Sequence, residues 1–182
     1  MRASKAVKDN SIHSADAEQL IRGCVYCVDQ CEQLLKLISQ EVYVDTSQGI
    51  SSVGAHVRHI LDRFNCFFAG LQQGCVDYDA RKRDKSIENN LDAALFSLAL
   101  IARRVEKLDL AGDPGESITV RESVHHQGPS VTIASTVERE LMGLITHSIH
   151  HLAIIALIVK AFGYQLDSDF GKAPSTIVYE RL

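Results

Sequence analysis

Three histidines fall within five residues, at His147, His150 and His151, inside the apolar run Ile145-Thr146-His147-Ser148-Ile149-His150-His151-Leu152-Ala153-Ile154-Ile155. An imidazole withdrawn from water with neither a hydrogen bond nor a metal costs on the order of 1–3 kcal/mol, so these rings need partners. On a helix His147 and His151 stand at i and i+4, one above the other, within reach of a single ion. At about 100° per residue they share an arc with Leu141, Leu144, Ile155, Ile158, Val159 and Phe162, which turns the pair toward a core and leaves His150 near the rim. The other way to satisfy such a pair is hydrogen bonding without any metal.

Further imidazoles stand at His56 and His59, in a segment whose apolar positions Val53, Val57, Ile60, Phe64, Phe67 and Leu71 also step by four and three. Periodicity places His56 nearer than His59 to the centre of that apolar arc. Three more residues share these faces. Glu140 is either a partner orienting an imidazole or a first-turn glutamate favoured by the helix dipole. Asp62 either hydrogen-bonds a ligand or faces solvent, and Cys66 reads as a small buried thiol. The pair His125-His126 lies in a polar turn and reads as solvent-facing.

The elements that must position these residues are helices. After a start expected to be disordered to Ser14, a first helix runs from about Asp16 to Gln40 on the stripe Leu20, Cys24, Cys27, Cys31, Leu34 and Ile38. Its Cys-x-x-Cys spacing continues the apolar stripe, so packing rather than redox chemistry or metal binding is expected. Asp45-Thr46-Ser47-Gln48-Gly49 reads as a loop. The second helix covers about Ser52 to Gln72, and Gly74 to Arg83 reads as another loop. A third helix from Ser86 to Leu108 carries Ile87, Leu91, Ala94, Leu98, Ile101, Val105 and Leu108 in continuous register, with Asp84 or Ser86 as its cap. Between Ala111 and Ala134 the period shortens to two around Ile118, Val120, Val131 and Ile133, with Gln127-Gly128-Pro129 as the turn of a short β-hairpin. Ser135 with Glu138 reads as a capping box opening a fourth helix to Phe162, and Gly163 as its C-cap. The tail from Gln165 to Leu182 holds Phe170, Ile177 and Val178 and is expected to pack. The expectation is an all-α, four-helix bundle over 15–182 as one domain, with a long connection between its third and fourth helices.

Composition narrows the function classes. With 182 residues, 46% apolar and 23% charged, the chain has the make-up of one globular domain. A net charge of -4 supplies no field for a nucleic-acid backbone, and the run Arg81-Lys82-Arg83 reads as a solvated loop. No signal peptide and no membrane span is expected, so the reading is cytoplasmic, with five cysteines as thiols.

The stretch Gly54-Ala55-His56-Val57-Arg58-His59-Ile60-Leu61-Asp62, followed much later by His147-Ser148-Ile149-His150-His151-Leu152-Ala153, resembles the DinB/YfiT-like superfamily of metal-binding four-helix bundles. The resemblance runs from the first helix to Phe162. It implies that His59, in the pattern His59-Ile60-Leu61-Asp62, joins His147 and His151 as a metal ligand, with His56 held in reserve. Three neutral imidazoles leave coordination positions open on a divalent ion, the pattern of a catalytic site. Zinc and nickel both suit imidazole, and iron is compatible. The resemblance further implies a transferase using a low-molecular-weight thiol on a small-molecule substrate, or a related hydrolytic or isomerising enzyme, with homodimers compatible. The alternative is a non-catalytic metal-binding or interaction module of the same fold.

Overall fold

The computed structural model describes residues 3–47, 51–110 and 117–182, with side chains from Ala15 onward. Gln48 and Gly49 of the first expected loop, and 111–116 at the start of the expected hairpin region, lie outside the described residues. The chain is predominantly helical with a small three-stranded sheet, so it is not purely α. Four long helices carry most of it: α1 (Ala3–Leu37), α3 (Val53–Leu71), α5 (Leu91–Glu106) and α6 (Val137–Ala161). Short helices α2 (Gln40–Val44) and α4 (Lys85–Asn89) lead into α3 and α5, and α7 (Pro174–Glu180) closes the chain. Helical backbone begins at Ala3, well before the Asp16 at which the apolar stripe starts.

The stripes read from the sequence become the core. Cys24, Cys27, Cys31 and Leu34 of α1 meet Val57, Ile60, Phe64 and Phe67 of α3, Leu98, Ile101 and Val105 of α5, and Leu141, Leu144, Leu152 and Ile155 of α6 in one buried cluster. Each aliphatic or aromatic side chain removed from water there contributes about 1.5–3 kcal/mol. α1 packs on α5 and α6, and α3 packs on the same two helices, so each long helix touches two of the others. By length and composition α6 is apolar enough to cross a membrane, a test that core helices also pass, and its buried side is core of this fold.

Local chemistry explains where the expected boundaries shift. The predicted single third helix is two, because Asn90 adopts an extended backbone and its side chain accepts a hydrogen bond from the Ala93 amide, starting α5 afresh. Asp84 does cap α4, accepting from the Ser86 amide. At α6 the N-cap is Thr136, accepting from Arg139, rather than Ser135, whose hydroxyl instead donates to Glu140 at 2.6 Å. Gly163 takes a φ of 84°, and the amides of Gly163 and Tyr164 return to the carbonyls of Lys160 and Val159, a glycine-terminated helix end.

The hairpin forms as β2 (Ser117–Glu122) antiparallel to β3 (Val131–Thr136). A third strand, β1 (Cys75–Asp77), pairs parallel to β2 inside what reads as loop. Ile118 and Val120 of β2 turn into the core, whereas Val131 and Ile133 of β3 stay exposed. Asp79 staples the segment after β1 to the hairpin, accepting from the Ser123 amide and from the hydroxyls of Ser123 and Ser130. The tail docks at Phe170 and Gly171, while Val178 remains exposed.

Candidate metal centre

α3 and α6 lie side by side, and their histidines meet between them. The helical repeat puts His147 above His151 on α6 and turns His59 of α3 toward both. The ring centroids are 4.9 Å apart for His59 and His147, 4.7 Å for His59 and His151, and 4.6 Å for His147 and His151. One nitrogen from each of the three lies within 4.8 Å of the others. Nitrogens sharing one tetrahedral ion at about 2.1 Å stand about 3.4 Å apart, so the rings would draw together to share one. All three rings are half-buried, so they stand at the edge of the core between α3 and α6, not at its centre, where the helical arc of α6 alone would turn its pair.

Their surroundings keep them neutral and hence able to ligate. Burial, and then the Arg81 guanidinium, push the His59 pKa down to about 4. Burial, followed by Arg63, takes His147 to about 3, and burial with the charge of His59 takes His151 to about 3. His147 Nε2 is buried with no hydrogen-bond partner, a lone pair or proton without use in the folded chain.

His56 occupies a different place from the other three. Its Nδ1 sits 2.9 Å from His151 Nδ1, and its own Nε2 is buried and unpartnered. It therefore touches the cluster through His151 instead of belonging to it. His150 is exposed beside His151, and His125 and His126 are exposed in the hairpin turn.

Neither carboxylate weighed from the sequence touches an imidazole. Asp62 is buried against Arg58 at 2.8 Å, and Arg58 also reaches Glu88 at 2.8 Å. Glu140 accepts from Tyr78 Oη at 2.9 Å and from Ser135, which ties the start of α6 to the segment after β1. Arg63 lies 3.7 Å over the Tyr78 ring and pairs with Glu122. Cys66 is buried, and burial raises its thiol pKa; burial likewise pushes Cys24 and Cys27 up to about 12, consistent with packing thiols.

The residue that sequence reasoning missed is Arg81. It is half-buried, while Lys82 and Arg83 beside it are exposed as the loop reading expects, and its Nη1 lies 3.1 Å from His59 Nδ1. No periodicity could have singled it out, because it belongs to no helix.

A cavity of about 370 Å³ lies at the far ends of the same helices, lined by Leu71, Leu108, Ile118 and Val137 and by no histidine.

No family model matches the chain, and no solved structure matches it. A protein named FK506-binding protein 5 from Rhizopus delemar is 34% identical over 105 residues, which is 56% of this chain. Those residues are 26% of the relative, so the chain spans about a quarter of that protein's length.

Proposed function

We propose that the chain is a divalent-metal-dependent enzyme of the DinB/YfiT-like four-helix-bundle kind, a thiol-dependent S-transferase acting on a small molecule. The observation that carries this reading is the convergence of His59, His147 and His151, three neutral rings from two helices, with His147 Nε2 buried and left without a hydrogen-bond partner. The donor set fits zinc or nickel, and iron is compatible. When bound, the ion would act as a Lewis acid lowering the pKa of a thiol or water placed on it. Around it the chain's own residues have distinct tasks: His56 orients His151, and burial between α3 and α6 keeps the ligand rings unprotonated. Five free cysteines fit a reducing, cytoplasmic compartment.

The experiment is metal analysis of protein purified without a nickel column. About one ion per chain is expected, lost in His147→Ala and in His151→Ala variants that keep their helical circular dichroism. Stoichiometric metal in both variants overturns the site. A panel of low-molecular-weight thiols with a generic electrophile then tests for conjugation faster than with metal-free protein. The second reading, a non-catalytic metal-binding module that docks through its helices, draws on Phe96 and Leu157, which are 67% and 68% exposed. Metal binding without acceleration by any thiol favours it.

A further inference from the structure

We infer that Arg81 is an anchor for a carboxylate on the small-molecule substrate, beside the three histidines. The inference rests on the metal-centre reading and adds a substrate class to it.

Three arginines flank the cluster, and their partners differ. Arg58 is neutralised by Asp62 and Glu88, and Arg63 by Glu122. Among the described residues no carboxylate pairs with Arg81. Its Nη1 is spent on an uncharged ring nitrogen of His59, and its Nε is buried without a partner. A half-buried guanidinium in that condition has unused donors, arranged in the planar fork that matches a carboxylate bidentately.

The placement of Arg81 is fixed by the chain. Two residues earlier Asp79 is held by Ser123 and Ser130 of the hairpin, and the Tyr78 amide donates to the Arg121 carbonyl. The segment after β1 is thus pinned to the hairpin, and the Arg81 side chain reaches His59 from it.

The His59 contact is also one the arginine must be able to leave. Guanidinium only donates, so His59 Nδ1 accepts, and the proton of the neutral ring sits on Nε2. Ligation through Nε2 requires the proton on Nδ1 instead, which turns Arg81 away and frees its fork. A charge-assisted pair with a substrate carboxylate is the stronger destination. It also offsets the positive charge that a divalent ion would add to a pocket of uncharged imidazoles.

The test uses the full chain loaded with cobalt(II), whose visible absorption reports changes around the ion. Acetate, its neutral counterpart acetamide, and inorganic phosphate are titrated into the wild type, Arg81→Gln, Arg81→Lys and Arg103→Gln, an exposed control on α5. The expected result is acetate binding in the wild type, weakened by about ten-fold or more in Arg81→Gln. Arg81→Lys should fall between, and Arg103→Gln should match the wild type, with cobalt stoichiometry unchanged throughout. Acetate affinity unchanged in Arg81→Gln, acetamide binding as tightly as acetate, or phosphate binding more tightly than acetate overturns the carboxylate assignment alone. Loss of cobalt from Arg81→Gln makes Arg81 a support for His59 and overturns it as well. A wild type that takes up no cobalt overturns the metal centre and, with it, this inference.

Discussion

The Nδ1 atoms of His56 and His151 meet at 2.9 Å, and a hydrogen bond between them leaves the proton on only one of the two. If His151 presents Nε2 to an ion, its Nδ1 carries the hydrogen and donates to His56, whose remaining proton then sits on the buried Nε2. His56 in this arrangement fixes the tautomer and the plane of a ligand without being one. Substituting His56→Phe should therefore lower metal affinity by about 10- to 100-fold, in competition with a chromophoric chelator, without abolishing binding. Affinity as poor as that of His151→Ala would instead make His56 a ligand. The pair on α6 was legible because i, i+4 spacing dictates which side chains share a face. The choice between His56 and His59 was not, because both sit on the flank of α3 and only the approach of α6 decides which ring meets the other two. Arg81 was illegible for a related reason: its position depends on β1 pairing with β2 across 40 or so residues, and no local pattern encodes that pairing.

At the scale of elements, α3 is positioned by a close contact as much as by its apolar stripe. A Cβ built on Gly54 would come within 2.1 Å of the Glu88 carbonyl oxygen and 2.8 Å of Tyr43 Cε1. Backbone of α4 cannot yield that far without moving, so Gly54→Ala should destabilise the fold by about 1–3 kcal/mol in urea denaturation. Asn90→Ala, which removes the cap that starts α5, should cost about 1 kcal/mol in the same measurement. A smaller effect for Gly54 than for Asn90 would mean that α4 packs more loosely than its contacts indicate. The helices themselves were legible from their four-three stepping, which matches the observed core on α1, α3, α5 and α6 nearly residue for residue. Breaks and caps were less so. Ile87, Leu91 and Ala94 keep the apolar register through Asn90, so the stripe runs on while the backbone does not. β1 escaped notice because three residues are too short to show a period.

At the scale of the whole molecule, the buried imidazoles couple stability to pH. In metal-free protein His59 stays neutral to about 4, and His147 and His151 to about 3, chiefly because burial disfavours their charged forms. In the unfolded chain each takes up a proton near 6.5, so below that pH the unfolded state binds more protons than the folded one. Stability should be intact above about pH 6.5 and decline as pH falls toward about 3, seen as a drop in Tm between pH 7 and pH 5 in the presence of a chelator. A double variant, His147→Gln with His151→Gln, should show a shallower drop across that window. An unchanged slope would mean that the rings exchange protons freely while folded.

The separation of His59 from His147 along the chain, about 90 residues, carries a consequence for the order of events in refolding. Helices nucleate locally within about a microsecond, whereas contacts between distant segments wait for the intervening chain to close. Ion capture would then be a late signal, reporting the arrival of α6 against α3 rather than the appearance of either. In stopped-flow refolding with a fluorescent zinc indicator, far-ultraviolet ellipticity should recover ahead of zinc uptake. Simultaneous recovery would instead indicate that the two helices associate as early as they form.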